Sequence, residues 1–191
     1  MTKYFFRLLL LIGTPIAFLA VLGSILPRNY EFASEIQIAE PPDVVFTEVN
    51  QLSNWQSWSQ WNPAEIPGLS VQYSGPASGV GSVQTWTDIR GSGKLWITKS
   101  ETPDLIEYEM IFANFPKLVG QIMVTKKDSG SVVRWSSHGK LPSGPFYGFF
   151  APFFSTQMSG EYEKSLLKLQ SKLEQRSTHK QVGEQQPVTH Q

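Results

Sequence analysis

The feature that most constrains the fold is a long region of alternating apolar and polar residues between positions 69 and 140. In "DLIEYEMIFAN", Ile106, Tyr108, Met110 and Phe112 fall on one face of a strand, and the residues between them fall on the other. Six such runs follow one another with short turns between them. Strands connected in this way pair antiparallel, so the region predicts an antiparallel sheet.

Further segments complete an α+β domain. "YEFASEIQIA" predicts an additional strand before this region, and two short helices are expected between that strand and residue 56. A long helix is predicted from about Ser155 to Gln175, with one apolar stripe: Met158, Tyr162, Leu166, Leu169 and Leu173. The stripe predicts a curved sheet of about seven strands around this helix, with glycines at its bends. Candidates for the bends are Gly79, Gly81, Gly91, Gly93 and Gly120.

The two ends of the chain differ from the middle. Residues 8–26 are uncharged and would span about 28 Å as a helix, which predicts a single-pass transmembrane anchor. Lys3 and Arg7 precede this run, so the N-terminus is expected in the cytoplasm and the domain in the periplasm or outside the cell. A cleaved signal peptide is the alternative. The predicted domains are the anchor at 1–28, the folded domain at 29–176 and a disordered polar tail at 177–191.

Composition argues against several kinds of partner. Sixteen basic and sixteen acidic residues leave no net charge, which disfavours a nucleic-acid partner. There is no cysteine, and two of the three histidines (His179 and His190) fall in the predicted tail, so neither a metal site nor a cofactor is predicted. The sequence gives no indication of the oligomeric state.

Several motifs in combination resemble a known superfamily. They are "IQIAEPPDVVFTEVNQLSNWQSWSQWNP", "YSGPASGVGSVQTWTD", "GSGKLWITKSETPDLIEYEMIF", "SVVRWSSHG" and "YEKSLLKLQSKLE". Together they are similar to the helix-grip, or START-like (SRPBCC), superfamily, and most to its polyketide cyclase/dehydrase-like branch with an N-terminal membrane anchor. The resemblance implies a cavity between the sheet and the C-terminal helix that binds a hydrophobic small molecule or lipid.

Large side chains on the strands and the long helix are the candidate lining of that cavity. Alternation alone leaves open which face Trp86 and Trp96 take, and the same aromatic residues could simply fill the core. The Trp-rich stretch "NWQSWSQWNP" is interpreted mainly as a structural end-closure, with Trp58 at the cavity mouth. The predicted ligand-binding residues are Trp58, Trp86, Trp96, Tyr108, Met110, Phe112, Arg134, Trp135, Met158 and Tyr162.

Catalytic residues are not predicted. His138 is a lone strand histidine, and Glu107 and Glu109 read as part of a solvated face. An enzyme of the cyclase, dehydrase or hydrolase type on an apolar substrate remains one alternative, and a filled-core domain acting through surface protein contacts remains another. The Phe-rich stretch "GPFYGFFAPFFSTQM" is interpreted as a loop folded onto the core, with a cavity gate or a bilayer contact as alternatives.

Overall fold

The computed structural model describes residues 2–184, and its elements confirm the predicted α+β class. Seven strands form one antiparallel sheet and a long helix ends the described chain. The helices are α1 (Thr2–Ile25), α2 (Pro42–Val49), a 3₁₀ helix (Leu52–Ser57) and α3 (Tyr147–Glu184). The strands are β1 (Asn29–Ile38), β2 (Ser70–Ser74), β3 (Val83–Asp88), β4 (Gly91–Glu101), β5 (Leu105–Phe112), β6 (Leu118–Lys127) and β7 (Gly130–Lys140).

The order of strands in the sheet is β1-β7-β6-β5-β4-β3-β2, so β1 and β2 form the two edges. The first strand pairs with the last along its full length, from Asn29 opposite Lys140 to Ile38 opposite Ser131. Every other pair joins strands that are consecutive in the chain, as short turns require. One face of this sheet packs against α3, and its alternate residues form most of the core.

The apolar stripe of α3 is buried as predicted. Tyr162, Leu166, Leu169 and Leu173 are buried, and Met158 is partly buried against the same core. A helix with one apolar face gains its stability by covering that face, and here the sheet covers it.

The Trp-rich stretch packs into the same core. Trp55 and Trp58 are buried with their ring centroids 5.3 Å apart, and Trp61 is half-buried. Trp55 Nε1 donates a hydrogen bond to the Val49 carbonyl at 2.7 Å, which ties the 3₁₀ helix to the end of α2. Asn62 closes the following turn, because its side-chain oxygen accepts from the backbone N–H of Ala64 at 2.9 Å.

The long helix exceeds its predicted bounds at both ends. It begins at Tyr147 instead of Ser155, so most of the Phe-rich stretch is helical and the loop interpretation was wrong. The helix contains Pro152, which the sequence suggested would stand before it. It continues to Glu184 through the start of the predicted disordered tail, beyond the domain boundary predicted at residue 176. Residues 185–191 of that tail lie outside the described residues.

The predicted membrane anchor is corrected by the structure. Within the described part of the chain, none of the helices combines the length and the apolar character that spanning a lipid bilayer requires. The single-pass topology and the localisation derived from residues 8–26 were therefore wrong. That prediction rested on the length of an uncharged run alone.

The end of α1 packs against the start of α3 through two glycines. A Cβ atom on Gly23 would lie 1.9 Å from the Pro145 carbonyl oxygen. A Cβ atom on Gly148 would lie 2.5 Å from Leu26 Cβ. Only hydrogen fits at both positions, so the two helices approach each other at their backbones.

Candidate ligand-binding cavity

A cavity of about 260 Å³ lies between the inner face of the sheet, the Trp-rich stretch and α3. Most of the side chains that surround it are apolar, and more than half of the lining residues are Phe, Trp or Tyr: Tyr30, Phe32, Trp55, Trp61, Trp86, Tyr108, Phe112, Phe115, Trp135, Phe154 and Tyr162. The other lining residues are Ser59, Leu69, Gln84, Arg90, Leu95, Met110, Pro116, Leu118 and Met158.

Solvent exposure identifies the mouth of the cavity. Phe115, in the loop after β5, is 41% exposed, and Arg90, in the turn after β3, is also exposed. Trp61, Phe112 and Met158 are half-buried. Side chains deeper in the cavity are buried, so the mouth lies between the β3–β4 turn, the β5–β6 loop and the first half of α3.

Two large aromatic rings of the lining lie flat on glycines of a neighbouring strand. Trp86 pairs with Gly93, where a Cβ atom would lie 2.1 Å from the indole ring. Tyr108 pairs with Gly120, where a Cβ atom would lie 2.1 Å from the phenol ring. Each ring occupies the space that a side chain on the facing strand would take.

A third pair repeats this arrangement at the edge of the sheet. Tyr30 pairs with Gly139, where a Cβ atom would lie 2.4 Å from the Tyr30 hydroxyl. Rings that lie along the sheet leave space above them, which explains why an aromatic-rich core still contains a cavity. Gly93 and Gly120 were predicted as bend residues, but they are sites where a ring approaches the backbone closely. Gly79, Gly81 and Gly91 have positive φ angles, as turns require.

Three hydroxyl groups form a closed cluster in the wall of the cavity. The Tyr108 hydroxyl lies 2.8 Å from that of Tyr162 and 3.0 Å from Ser137 Oγ, and Ser137 Oγ lies 2.7 Å from the Tyr162 hydroxyl. Trp135 Nε1 donates to the Tyr108 hydroxyl at 2.8 Å, and the Trp135 ring stacks on the Tyr162 ring with 3.8 Å between the ring centroids. The groups thereby satisfy one another in a buried environment.

Burial favours the neutral form of both phenols in this cluster. Removal from water raises the pKa of Tyr108 and of Tyr162 above the ordinary phenol value, and the neighbouring Tyr108 adds to the rise for Tyr162. Both phenols are therefore neutral at physiological pH. A neutral phenol is not a general base, so the cluster is suited to holding the core together and contacting a ligand.

Two other polar groups line the cavity. Arg90, at the mouth, donates from Nη2 to Asp88 Oδ2 at 2.6 Å, and this hydrogen bond lowers the pKa of Asp88. The guanidinium also lies 6.0 Å from the centroid of the Phe112 ring. Gln84, on β3, is buried, and its side-chain oxygen has no hydrogen-bond partner in the part of the chain that the structure describes.

Seven of the ten predicted site residues line this cavity: Trp86, Tyr108, Met110, Phe112, Trp135, Met158 and Tyr162. Trp58 is fully buried behind the cavity and contacts Trp135, with 5.4 Å between the ring centroids. Trp96 lies on the outer face, beside Lys94, and Arg134 lies on the outer face in an ion pair with Glu35 at 3.6 Å. These three side chains do not line the cavity, and ligand binding by the other seven stays a prediction.

Sequence reasoning missed more than half of the lining. Gln84 is two residues from Trp86 on the same strand, so naming Trp86 as a lining residue placed Gln84 on the same face. Tyr30 and Phe32 could have been found in the same way from β1. Trp55 and Trp61, which line the cavity in place of Trp58, had no such signal, because an irregular segment carries them.

A larger groove on the other side of α3 is a poorer candidate. It measures about 770 Å³, is open to solvent and is lined mainly by the long polar side chains of the helix. Its cations already have partners: Lys168 bonds to Glu65 at 2.6 Å, while Lys172 and Arg176 both bond to the buried carboxylate of Glu48. These ion pairs join α3 to α2 through Glu48 and to the loop before β2 through Glu65, which is a structural role.

The described residues offer little for metal or acid–base chemistry. No cluster of three His, Asp or Glu side chains with metal-binding geometry exists among the residues that the structure describes. His138 is exposed on the outer face of the sheet, opposite Glu31. Along the cavity, the described lining contains no Asp, Glu, His or Lys side chain.

A comparison with known protein families assigns the chain to one of them. Residues 30–174 match the family described as polyketide cyclase/dehydrase and lipid transport. The chain belongs to this family. A search of curated proteins finds no match. The family covers nearly all of the sheet and most of α3, and it supports a ligand-binding or cyclase-type domain.

Solved structures share the helix-grip fold at low sequence identity. Norcoclaurine synthase from Thalictrum flavum is 16% identical, with a TM-score of 0.54 over 76% of this chain and 95% of that chain. A protein of unknown function from Staphylococcus aureus is 9% identical, with a TM-score of 0.64 over 80% of this chain and 98% of that chain. The di-domain ARO/CYC protein StfQ from the steffimycin biosynthetic pathway is 14% identical, with a TM-score of 0.60 over 78% of this chain and 52% of that chain. At these identities the likeness concerns the fold alone.

Proposed function

We propose that this protein binds a small, uncharged hydrophobic molecule in the cavity between the sheet and α3. The observation that carries the proposal is the set of three aromatic–glycine pairs, Trp86–Gly93, Tyr108–Gly120 and Tyr30–Gly139. A domain that needed only a core would fill this space with side chains, because protein interiors are close-packed. Here these three rings lie over glycines of the neighbouring strands, and about 260 Å³ stays free. This open space argues against the filled-core alternative.

The size of the cavity limits the ligand. Sites for drug-sized molecules usually measure about 300–1,000 Å³, so the cavity fits a molecule somewhat smaller than those. A lipid with two acyl chains would exceed it, whereas a compound of one to three rings or a short single chain would fit. Transfer of the ligand's apolar surface out of water supplies the affinity.

Binding explains the lining better than catalysis does. The hydroxyls of Tyr108 and Tyr162 are neutral at physiological pH, and the Arg90 guanidinium is paired with Asp88. General acid–base catalysis needs a group with a pKa near the working pH, and the described lining provides none. The enzymatic alternative would therefore depend on chemistry that the ligand itself brings.

A solution titration tests the proposal. We expect the full chain to bind 2-naphthol with a Kd on the order of 10–100 µM, the range for a good ligand of this size. Trp55, Trp61, Trp86 and Trp135 line the cavity, so binding should quench tryptophan fluorescence in a saturable way. Calorimetry should give one molecule per chain. Fluorescence quenching that rises linearly without saturation up to about 1 mM 2-naphthol would contradict the proposal. It would mean a binding free energy weaker than about −4.1 kcal/mol.

A further inference from the structure

We propose that Gln84 is the specificity-determining residue of the cavity, and that the ligand carries a hydroxyl or N–H group that donates to Gln84 Oε1. This inference rests on the proposed binding function and states which hydrophobic molecules the cavity selects. It derives from a buried acceptor that the protein does not satisfy and from two neighbouring polar sites that the protein does satisfy.

Gln84 occupies a position where a polar side chain needs a partner. The residue is 7% exposed and lines the cavity between Trp86 on its own strand and Leu95 opposite it on β4. Its Oε1 atom is fully buried, with no hydrogen-bond donor within reach among residues 2–184. Buried carbonyl oxygens are nearly always hydrogen-bonded in folded proteins, so this one is adapted to a donor from outside the chain.

The hydroxyl cluster makes no such demand on a ligand. Tyr108, Ser137 and Tyr162 have three hydroxyl protons and three mutual contacts, so one proton can serve each contact. Trp135 Nε1 adds a fourth donor to the Tyr108 oxygen. The cluster is therefore closed. Its member on the nearest strand, Tyr108 on β5, lies two strands away from Gln84, about 10 Å across the sheet.

The charge at the mouth is also satisfied within the chain. Arg90 makes two side-chain hydrogen bonds to Asp88 Oδ2, at 2.6 and 3.1 Å, and Asp88 side-chain atoms are completely buried. The pair as a whole carries no net charge, so it offers no excess positive charge to offset the cost of taking a ligand carboxylate out of water. The chemistry therefore favours an uncharged ligand with one donor over an anion such as a fatty acid.

The test compares two probes of similar shape in three forms of the full chain. 2-Naphthol carries a hydroxyl donor, and 2-methoxynaphthalene replaces that proton with a methyl group. We expect the unmodified chain to bind 2-naphthol about tenfold more tightly, the value of one neutral hydrogen bond. Gln84→Met keeps the size of the side chain but removes the amide, so it should reduce this ratio to about one. Gln72→Met, on the outer face of β2, is the control and should retain the tenfold ratio.

Stability provides a second readout. Gln84→Met removes an unsatisfied buried acceptor, so the free protein should melt about 2–4 °C higher while discrimination is lost. A Gln84→Met chain that still prefers 2-naphthol tenfold would overturn the inference and leave binding intact. Equal affinity of the unmodified chain for both probes would also overturn it. Failure of the unmodified chain to bind either probe would overturn the proposed function and the inference with it.

Discussion

Gly93→Val is expected to weaken 2-naphthol binding by about tenfold to a hundredfold. A Cβ atom at this position would lie 2.1 Å from the Trp86 ring. The Trp86 side chain could avoid this contact only by rotating away from the sheet. The space on the other side of that ring is the cavity, so Trp86 would occupy part of the ligand's volume. The expected loss of affinity corresponds to about 1.4–2.8 kcal/mol of binding free energy.

The control for this substitution is the preceding residue. Ser92 pairs with Thr87 on the outer face and is exposed, so Ser92→Val adds similar bulk to the same strand without approaching the cavity. Fluorescence titration should show near-normal affinity for Ser92→Val. Because Gly93→Val also stresses the fold, circular dichroism should establish that the variant is folded, and Gly93→Ala provides a milder step in the same direction. Unchanged affinity in a folded Gly93→Val chain would refute this explanation of the cavity.

Trp135→Ala is expected to lower the free energy of unfolding by about 3–5 kcal/mol, the usual cost of removing a large buried aromatic side chain. The indole is 2% exposed, stacks on Tyr162 and contacts Trp55 with 5.4 Å between ring centroids. Its removal would also leave the hydroxyl of Tyr108 without the Trp135 donor. Urea denaturation followed by circular dichroism measures the change.

Trp96→Ala is the matched control, because it removes the same side chain from the opposite face of the sheet. The Trp96 ring centroid lies 5.3 Å from Lys94 Nζ, and the Trp96 side chain is only half-buried. We expect it to cost at most about 1 kcal/mol, the range of strand propensities. Equal losses for the two variants would contradict the assignment of inner and outer faces.

The strands and the stripe of α3 were predictable because each follows a local period. Alternation placed Tyr108, Met110 and Phe112 on one face, and the spacing of Leu166, Leu169 and Leu173 selected the buried side of the helix. These patterns do not depend on which strand lies beside which. The class of fold and a minority of the cavity lining followed from them.

The origin of the cavity was not predictable from local patterns. Gly93 and Gly120 looked like bend residues because only the register between strands shows that they face Trp86 and Tyr108. Strand register depends on turn geometry and tertiary packing, which a single sequence does not display. The sequence named Trp58 as a lining residue, whereas Trp55 and Trp61 line the cavity. Tertiary packing again explains the difference, because the position of this segment depends on the elements that surround it.

The central claim is that a small hydrophobic molecule binds between the sheet and α3, and ¹⁹F NMR of the 5-fluorotryptophan-labelled full chain tests it most directly. The six tryptophans report from known positions, and single Trp→Phe substitutions assign their resonances. Saturating 2-naphthol should shift the signals of the four that line the cavity, Trp55, Trp61, Trp86 and Trp135, and leave Trp96 on the outer face unchanged. No shift among the four, or a shift confined to Trp96, would contradict the account.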